Sequence, residues 1–138
     1  STLASLAAAG VTSPVLFWDN QDVSLSLSDF PAAFKRDLSN VGTCTASSVT
    51  IVVSGAGNDL NYHGGNTAPY LSASLFVPDG SLTGQGGYNI IGTVFADVID
   101  LGGNPDYYMD TCFASNPPGA LLDAQVIDWR EADAKDAN

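Results

Sequence analysis

Alternating apolar and polar residues predict a chain built mainly of short strands. In residues 23–28 the apolar Val23, Leu25 and Leu27 alternate strictly with serine, which is the period of a strand with one buried face. Three further apolar segments have the length of strands: 15–18, 49–53 and 121–129. Between them lie loops rich in glycine or polar residues, at 39–48, 55–66 and 104–120.

Two segments have the composition of short helices. Residues 2–9 are rich in Ala and Leu and end before Gly10, with Leu3 and Leu6 on one face. Residues 32–38 follow Asp29, which is suited to cap a helix, and Pro31, which is suited to its first turn. Together these patterns predict a mainly β domain with one or two short helices.

Residues 71–110 contain one motif written twice. Phe76 corresponds to Phe95, Leu82 to Ile99, and Gly86-Gly87 to Gly102-Gly103. The offset drifts from 19 to 16 residues, so one copy carries a small insertion. Short β-rich repeats that end in glycine are typical of β-solenoid coils, which bury a continuous core only when they stack.

We therefore expect residues 1–138 to form a single domain, with a short right-handed β-solenoid, or β-helix-like, core over residues 49–110. In such a core Phe76 and Phe95 would stack on the same side. Residues 1–10 would form a helical segment, and residues 130–138 a flexible tail. The alternative is a β-sandwich, in which the two copies of the motif are ordinary hairpin strands with the same turn chemistry.

The charge balance excludes some classes of partner. Fifteen acidic residues oppose four basic ones, and the net charge is −11. Such a surface repels nucleic acid and anionic lipid, because phosphate binding needs clustered Lys and Arg. No run of eighteen apolar residues is present, so a membrane contact would require an N-terminal helix missing from this chain.

The two cysteines, Cys44 and Cys112, lie in polar segments rich in Thr, Ser and Asn. We expect them to form a disulfide, which by the loop-entropy model would stabilise the chain by roughly 4 kcal/mol. Two free buried thiols are the alternative. A disulfide would favour an extracellular or cell-surface location, so the protein is expected to be secreted.

Candidate chemistry is sparse. The single histidine, His63, lies in a Gly/Asn-rich segment without a recognisable nucleophile motif. Asp97 with Asp100, and Asp106 with Asp110, are chance neighbours among many aspartates. Weak calcium candidates are Asn58, Asp59, Asp106 and Asp110, of which the first two lie in a Gly-x-Gly-Asn-Asp segment. We expect no catalytic residues and no cofactor, with calcium as the one alternative.

The segment from Val49 to Glu131 resembles the β-helical C-terminal head domain of bacterial type IV pilin-like, PilX-type pilus-assembly proteins. The matching motifs are VTIVVSG at 49–55, ASLFVPDG at 73–80, GTVFAD at 92–97, IDLGGN at 99–104, YYMD at 107–110 and WRE at 129–131. Only residues 1–9 could belong to the long apolar helix with which a pilin enters a filament, so this chain would be the globular head.

The resemblance implies a non-enzymatic, extracellular structural or adhesive subunit whose partners are other pilus subunits or further copies of itself. Residues 32–38 would cap one end of the solenoid, with Phe34 and Leu38 facing inward. The competing hypothesis is a carbohydrate- or ice-binding solenoid module, which would contact surface glycans or ice through a flat face. A regular threonine or aromatic ladder would support that alternative, but only Thr83 and Thr93 lie in the repeat.

Overall fold

The computed structural model describes residues 2–40, 47–65, 67–103 and 107–110, and about half of these lie in strands. One α-helix, α1 (Thr2–Ala8), precedes eight strands in the described chain. These are β1 (Val15–Asp19), β2 (Val23–Ser26), β3 (Lys35–Arg36), β4 (Val49–Ser54), β5 (Leu60–His63), β6 (Tyr70–Gly84), β7 (Ile90–Leu101) and β8 (Tyr107–Met109). The protein is therefore mainly β, as the alternation predicts. No helix in the described residues is long and apolar enough to cross a membrane.

The strands form a mostly parallel sheet around β6. The first half of β6 pairs with β4, its second half pairs with β5, and both halves pair with β7 on the other side. Farther out, β1 pairs with β4, β2 with β5 and β8 with β7, all of them parallel. Only β3 is antiparallel among the described strands, against the start of β6.

Parallel pairing in register stacks like residues into columns. One inward column contains Leu16, Ile51, Leu75 and Val94, and a second contains Val23, Leu60, Leu82 and Ile99. The central members of both columns are buried, and each such side chain contributes about 1.5–3 kcal/mol by leaving water. Leu3 of α1 packs into the same cluster, together with Phe30 and Phe34.

The repeat correspondence is confirmed at its apolar positions. Phe76 pairs with Phe95, and Leu82 pairs with Ile99. The two phenylalanine rings stack with centroids 5.0 Å apart and planes 20° apart. The register shifts between Val77 and Ser81, where Pro78-Asp79-Gly80 of the first copy faces a shorter turn in the second. This register shift accommodates the small insertion that the drifting offset between the two copies predicts.

The predicted helix over residues 32–38 is wrong. The segment contains a 3₁₀ turn at Ala32–Phe34, the strand β3, and a second 3₁₀ turn at Leu38–Asn40. Strand pairing overrides the local pattern, because Lys35 and Arg36 pair with Leu71 and Tyr70. Phe34 is buried as expected, whereas Leu38 is 42% exposed and does not face inward.

The glycine-rich loop predicted over residues 55–66 is wrong in its second half. Residues 60–63 form β5, in which Leu60 and Tyr62 are buried while Asn61 and His63 point the other way. Two apolar residues separated by one polar residue are too short a pattern to stand out among glycines. The strand forms because it has partners on both edges, β2 and β6.

Backbone atoms come close together at the turn inside β6. A Cβ added at Gly80 would lie only 1.7 Å from the carbonyl oxygen of Asn58 in the neighbouring turn. Backbone cannot move aside as a flexible side chain does, so glycine is required at this position.

We expect Gly80→Ala to destabilise the protein by about 3 kcal/mol or more, because the overlap must separate two paired strands. Gly102→Ala is the matched control, since its Cβ would make an ordinary 3.4 Å contact with the Gly84 carbonyl oxygen. Urea denaturation measures both variants. Equal stability of the two would contradict the packing at this turn.

Two buried tyrosines lie edge to face at the centre of the domain. The rings of Tyr62 and Tyr88 have centroids 5.4 Å apart at an interplanar angle of 87°. Neither hydroxyl has a hydrogen-bond partner among the described residues. Burial raises the pKa of both phenols well above their usual range, and the neighbouring Tyr62 and Tyr107 add to the shift at Tyr88. The folded state thus favours the neutral phenols. Their contribution to stability is complete below the ordinary pKa of about 10 and is lost progressively as the pH rises from there through the raised pKa of the folded state.

We expect Tyr88→Phe to raise the free energy of unfolding by about 1 kcal/mol, because the substitution removes a buried hydroxyl that has no hydrogen-bond partner in the described part of the chain. Tyr107→Phe is the control. The Tyr107 hydroxyl donates to the Gly92 carbonyl oxygen at 3.0 Å, so its loss should lower the free energy by about the same amount. Thermal and urea unfolding below pH 9 measure both, and a destabilised Tyr88→Phe would contradict the unpaired hydroxyl.

Candidate functional site

A cleft opens beside the ends of β2 and β5. Ser26 and His63 are paired in register on these parallel strands, and both lie at positions that point away from the core. Pro69 and Lys35 come from segments next to the start of β6. The cleft has a volume of about 460 Å³, and its lining consists of Ser26, Leu27, Ser28, Lys35, His63, Gly64, Gly65 and Pro69.

Lys35 gives this cleft a positive charge. Of the four basic residues of the chain, Lys35 and Arg36 lie in the described part. Arg36 is buried, and its Nη1 donates to Asp110 Oδ2 at 2.5 Å and to Ser72 Oγ at 3.4 Å. Lys35 is half-buried and makes no ion pair with the described acidic residues. Consecutive positions of β3 therefore have opposite roles, because successive strand residues point to opposite faces.

The serine side of the cleft is held by Asp29. Its Oδ2 accepts hydrogen bonds from Ser26 N at 2.7 Å and from Ser26 Oγ at 3.2 Å. The hydroxyls of Ser26 and Ser28 share a further bond of 2.7 Å. These contacts fix the 3₁₀ turn after β2 and orient two hydroxyls at the rim. The lining thus includes two serines, a histidine and a lysine, while the surface that it exposes is mainly apolar and includes Leu27 and Pro69.

Asp59, a calcium candidate, has a structural role at the turn between the two strand stacks. Asp22 Oδ1 accepts a hydrogen bond from Asp59 N at 2.8 Å, and Asp59 Oδ1 accepts one from Ser81 N at 2.7 Å. Each carboxylate thereby binds the backbone of the next stacked turn. Asn58, the neighbouring candidate, donates from its amide to the Ser54 carbonyl oxygen at 3.2 Å.

The remaining candidates are not brought together. Asp110 is buried against Arg36, while Asp106 lies outside the described residues. Asp97 and Asp100 are exposed on β7. The described residues contain no group of three or more His, Cys, Asp or Glu side chains arranged to hold a metal ion. Cys44 and Cys112, the expected disulfide, also lie outside the described residues, as does the predicted strand over 121–129.

Hydroxyl side chains form a column across the sheet, although the sequence repeat by itself contains no regular threonine ladder. Thr50, Ser74 and Thr93 are in register on three neighbouring strands, and Thr93 Oγ1 donates to Ser74 Oγ at 3.0 Å. Thr50 and Ser74 are buried. The column therefore does not offer the accessible flat hydroxyl face that ice binding would need.

An apolar column on the same side of the sheet is accessible at both ends. It contains Phe17, Val52, Phe76 and Phe95, again in register. Phe17 is 62% exposed and Phe95 is 58% exposed, whereas Val52 and Phe76 are half-buried between them. Only the Phe76–Phe95 pair of this column is detectable in the sequence, because Phe17 and Val52 lie outside the repeat.

Comparison with protein-family models, with curated proteins and with solved structures finds no match to this chain. The resemblance to pilin-like head domains therefore rests on its sequence motifs alone.

The Arg36–Asp110 ion pair joins residues 74 positions apart and was not detectable from the sequence. We expect Arg36→Met to lower the free energy of unfolding by about 3–5 kcal/mol, because it leaves the Asp110 carboxylate buried without its cation. Lys35→Met removes the same charge from the adjacent residue and should cost less than about 1 kcal/mol. Chemical denaturation measures both. Equal losses would contradict the assigned roles.

Proposed function

We propose that the chain is a non-enzymatic extracellular structural or adhesive subunit, and that its sheet is a short right-handed β-solenoid. The pairing pattern supports the solenoid. The chain alternates between two parallel stacks, one holding β1, β4 and the first halves of β6 and β7, the other holding β2, β5 and their second halves. A chain that winds in this way returns to each stack one strand farther along. The right hand is the one that parallel crossover connections take in general.

The observation that carries the function is the open edge of β7. Strand β8 pairs only with Ile90–Gly92, so Thr93–Leu101 has no second partner strand among the described residues. Apolar side chains lie along this edge, with Phe95 58%, Val98 49% and Ile99 52% exposed. An exposed apolar edge strand is a template for pairing with another chain.

A second copy of this chain is the occupant that fits the edge. The opposite terminal strand, β1, pairs with β4 only among the described strands and exposes Val15 and Phe17. A copy whose β1 and β2 lie beside the two halves of β7 would continue the apolar column from Phe95 to its own Phe17 and would place its Val23 beside Ile99. Such a contact joins two different surfaces, so it repeats from copy to copy into a filament. This arrangement agrees with the pilus partners that the sequence resemblance implies.

Charge sets the conditions for the contact. Asp97 and Asp100 are exposed on β7, and Asp19 and Asp22 are exposed at the end of β1 and in the turn that follows it. Bringing the two edges together places like charges near each other. Association should therefore strengthen with added salt, which screens exposed charges within about 8–10 Å at 0.10–0.15 M.

We expect the purified chain to self-associate with increasing protein and salt concentration in sedimentation velocity. Ile99→Lys should reduce this association at least about tenfold, because it places a charge in the apolar contact. Gln85→Lys carries the same change of charge at an exposed position in the turn after β6, outside β7, and should leave association unchanged.

Three outcomes would overturn the assembly proposal. The first is a protein that stays monomeric at all salt and protein concentrations. The second is equal association of Ile99→Lys and Gln85→Lys. The third is a monomer in which the amide hydrogens of Val98–Leu101 exchange slowly, because the edge would then be protected within a single chain.

A further inference from the structure

The cleft beside β2 and β5 is not used by the proposed assembly. Its residues belong to the ends of β2 and β5, the 3₁₀ turn at Leu27–Asp29, β3 and the segment before β6. None of them lies on β7 or β1. A binding role for the cleft can therefore be tested separately from self-association.

The position of Lys35 in this acidic chain needs an explanation. With a net charge of −11, acidic partners for a lysine are abundant. Lys35 nevertheless makes no ion pair with a described acidic residue, and Asp29 directs its Oδ2 to Ser26. Lys35 lines the cleft, where its charge can attract an anion that the rest of the surface repels.

Two glycines, Gly64 and Gly65, follow His63 in the lining of the cleft. A Cβ at residue 64 would lie 2.8 Å from the Gly87 carbonyl oxygen and from Asn89 N, so the close approach of these segments requires glycine there. Gly64 and Gly65 consequently present bare backbone to the cleft. The volume of about 460 Å³ falls in the range of roughly 300–1,000 Å³ that small-molecule sites occupy.

We propose that the cleft binds a hexuronate, the carboxylate-bearing sugar unit of acidic polysaccharides. Lys35 pairs with the carboxylate, while Ser26, Ser28 and His63 form hydrogen bonds with ring hydroxyls. Leu27 and Pro69 pack against the apolar C–H face of the ring. A singly charged carboxylate fits better than a phosphate, because the cleft supplies one described cation and phosphate sites use arginine clusters or helix N-termini.

The test is a titration of the ¹⁵N-labelled chain with sodium glucuronate, glucose, acetate and inorganic phosphate at constant ionic strength, followed by amide chemical shifts. Glucuronate should shift the amides of Ser26, Lys35, His63 and Gly64 in a saturable way. Glucose lacks the carboxylate and acetate lacks the sugar ring. Each should bind at least about tenfold more weakly than glucuronate, because glucose loses the charge-assisted contact and acetate loses the hydroxyl contacts.

Variants locate the contact. Lys35→Met should weaken glucuronate binding about tenfold, and Lys35→Arg, which keeps the charge, should retain most of it. Gln21→Glu is the matched control: it changes the net charge by the same amount as Lys35→Met, but at an exposed turn before β2. It should leave binding unchanged.

The proposal is overturned if glucuronate causes no saturable shifts at the cleft, or if glucose binds as tightly. Equal binding of acetate would mean that no ring is recognised, and tighter binding of phosphate would identify a different anion site. Equal weakening by Lys35→Met and Gln21→Glu would show that only the net charge matters. None of these results depends on whether the chain self-associates.

Discussion

In-register parallel pairing along β6 is the constraint on which the rest of the described structure depends. β6 runs from Tyr70 to Gly84 and has partners along both edges: β4, β5 and β3 on one side, β7 on the other. Pairing in register places like residues above one another, and this creates the buried columns that Leu75 and Leu82 share with their neighbours. A slip of one residue would reverse the faces and move these leucines to the solvent side.

The turns between the two stacks must keep that register despite their different lengths. The turn after β4 runs through residues 55–59, whereas the bend within β6 contains Pro78, Asp79 and Gly80. The Asp59 carboxylate and backbone contacts such as Gly57 N to Asp79 O at 2.9 Å align these unequal turns. The inward columns continue on both sides of the bend, so a change of turn length is accommodated locally.

Much of the central sheet could be predicted from the sequence, because periodicity and repeats are local signals. The repeat placed Phe76 beside Phe95 and Leu82 beside Ile99, and strict alternation located β2. The failures have a different physical origin. β5 and β3 are too short to be recognised alone and exist only through their partners, and Arg36 meets Asp110 across 74 residues. The cleft likewise draws Ser26, Lys35 and His63 from three segments whose proximity only the fold determines.

Residues that point into the core and residues that point away from it are subject to different constraints in this protein. Inward residues such as Leu60 and Tyr62 are constrained by packing, and their identities follow from the need to fill the core. Core packing places no such demand on Ser26 of β2 and His63 of β5, which are paired in register and point away from the core. The hydroxyls of Ser26 and Ser28 have a structural role, because they fix the 3₁₀ turn together with Asp29. Lys35 makes no ion pair with the described acidic residues, so the proposed hexuronate would give this cation a partner.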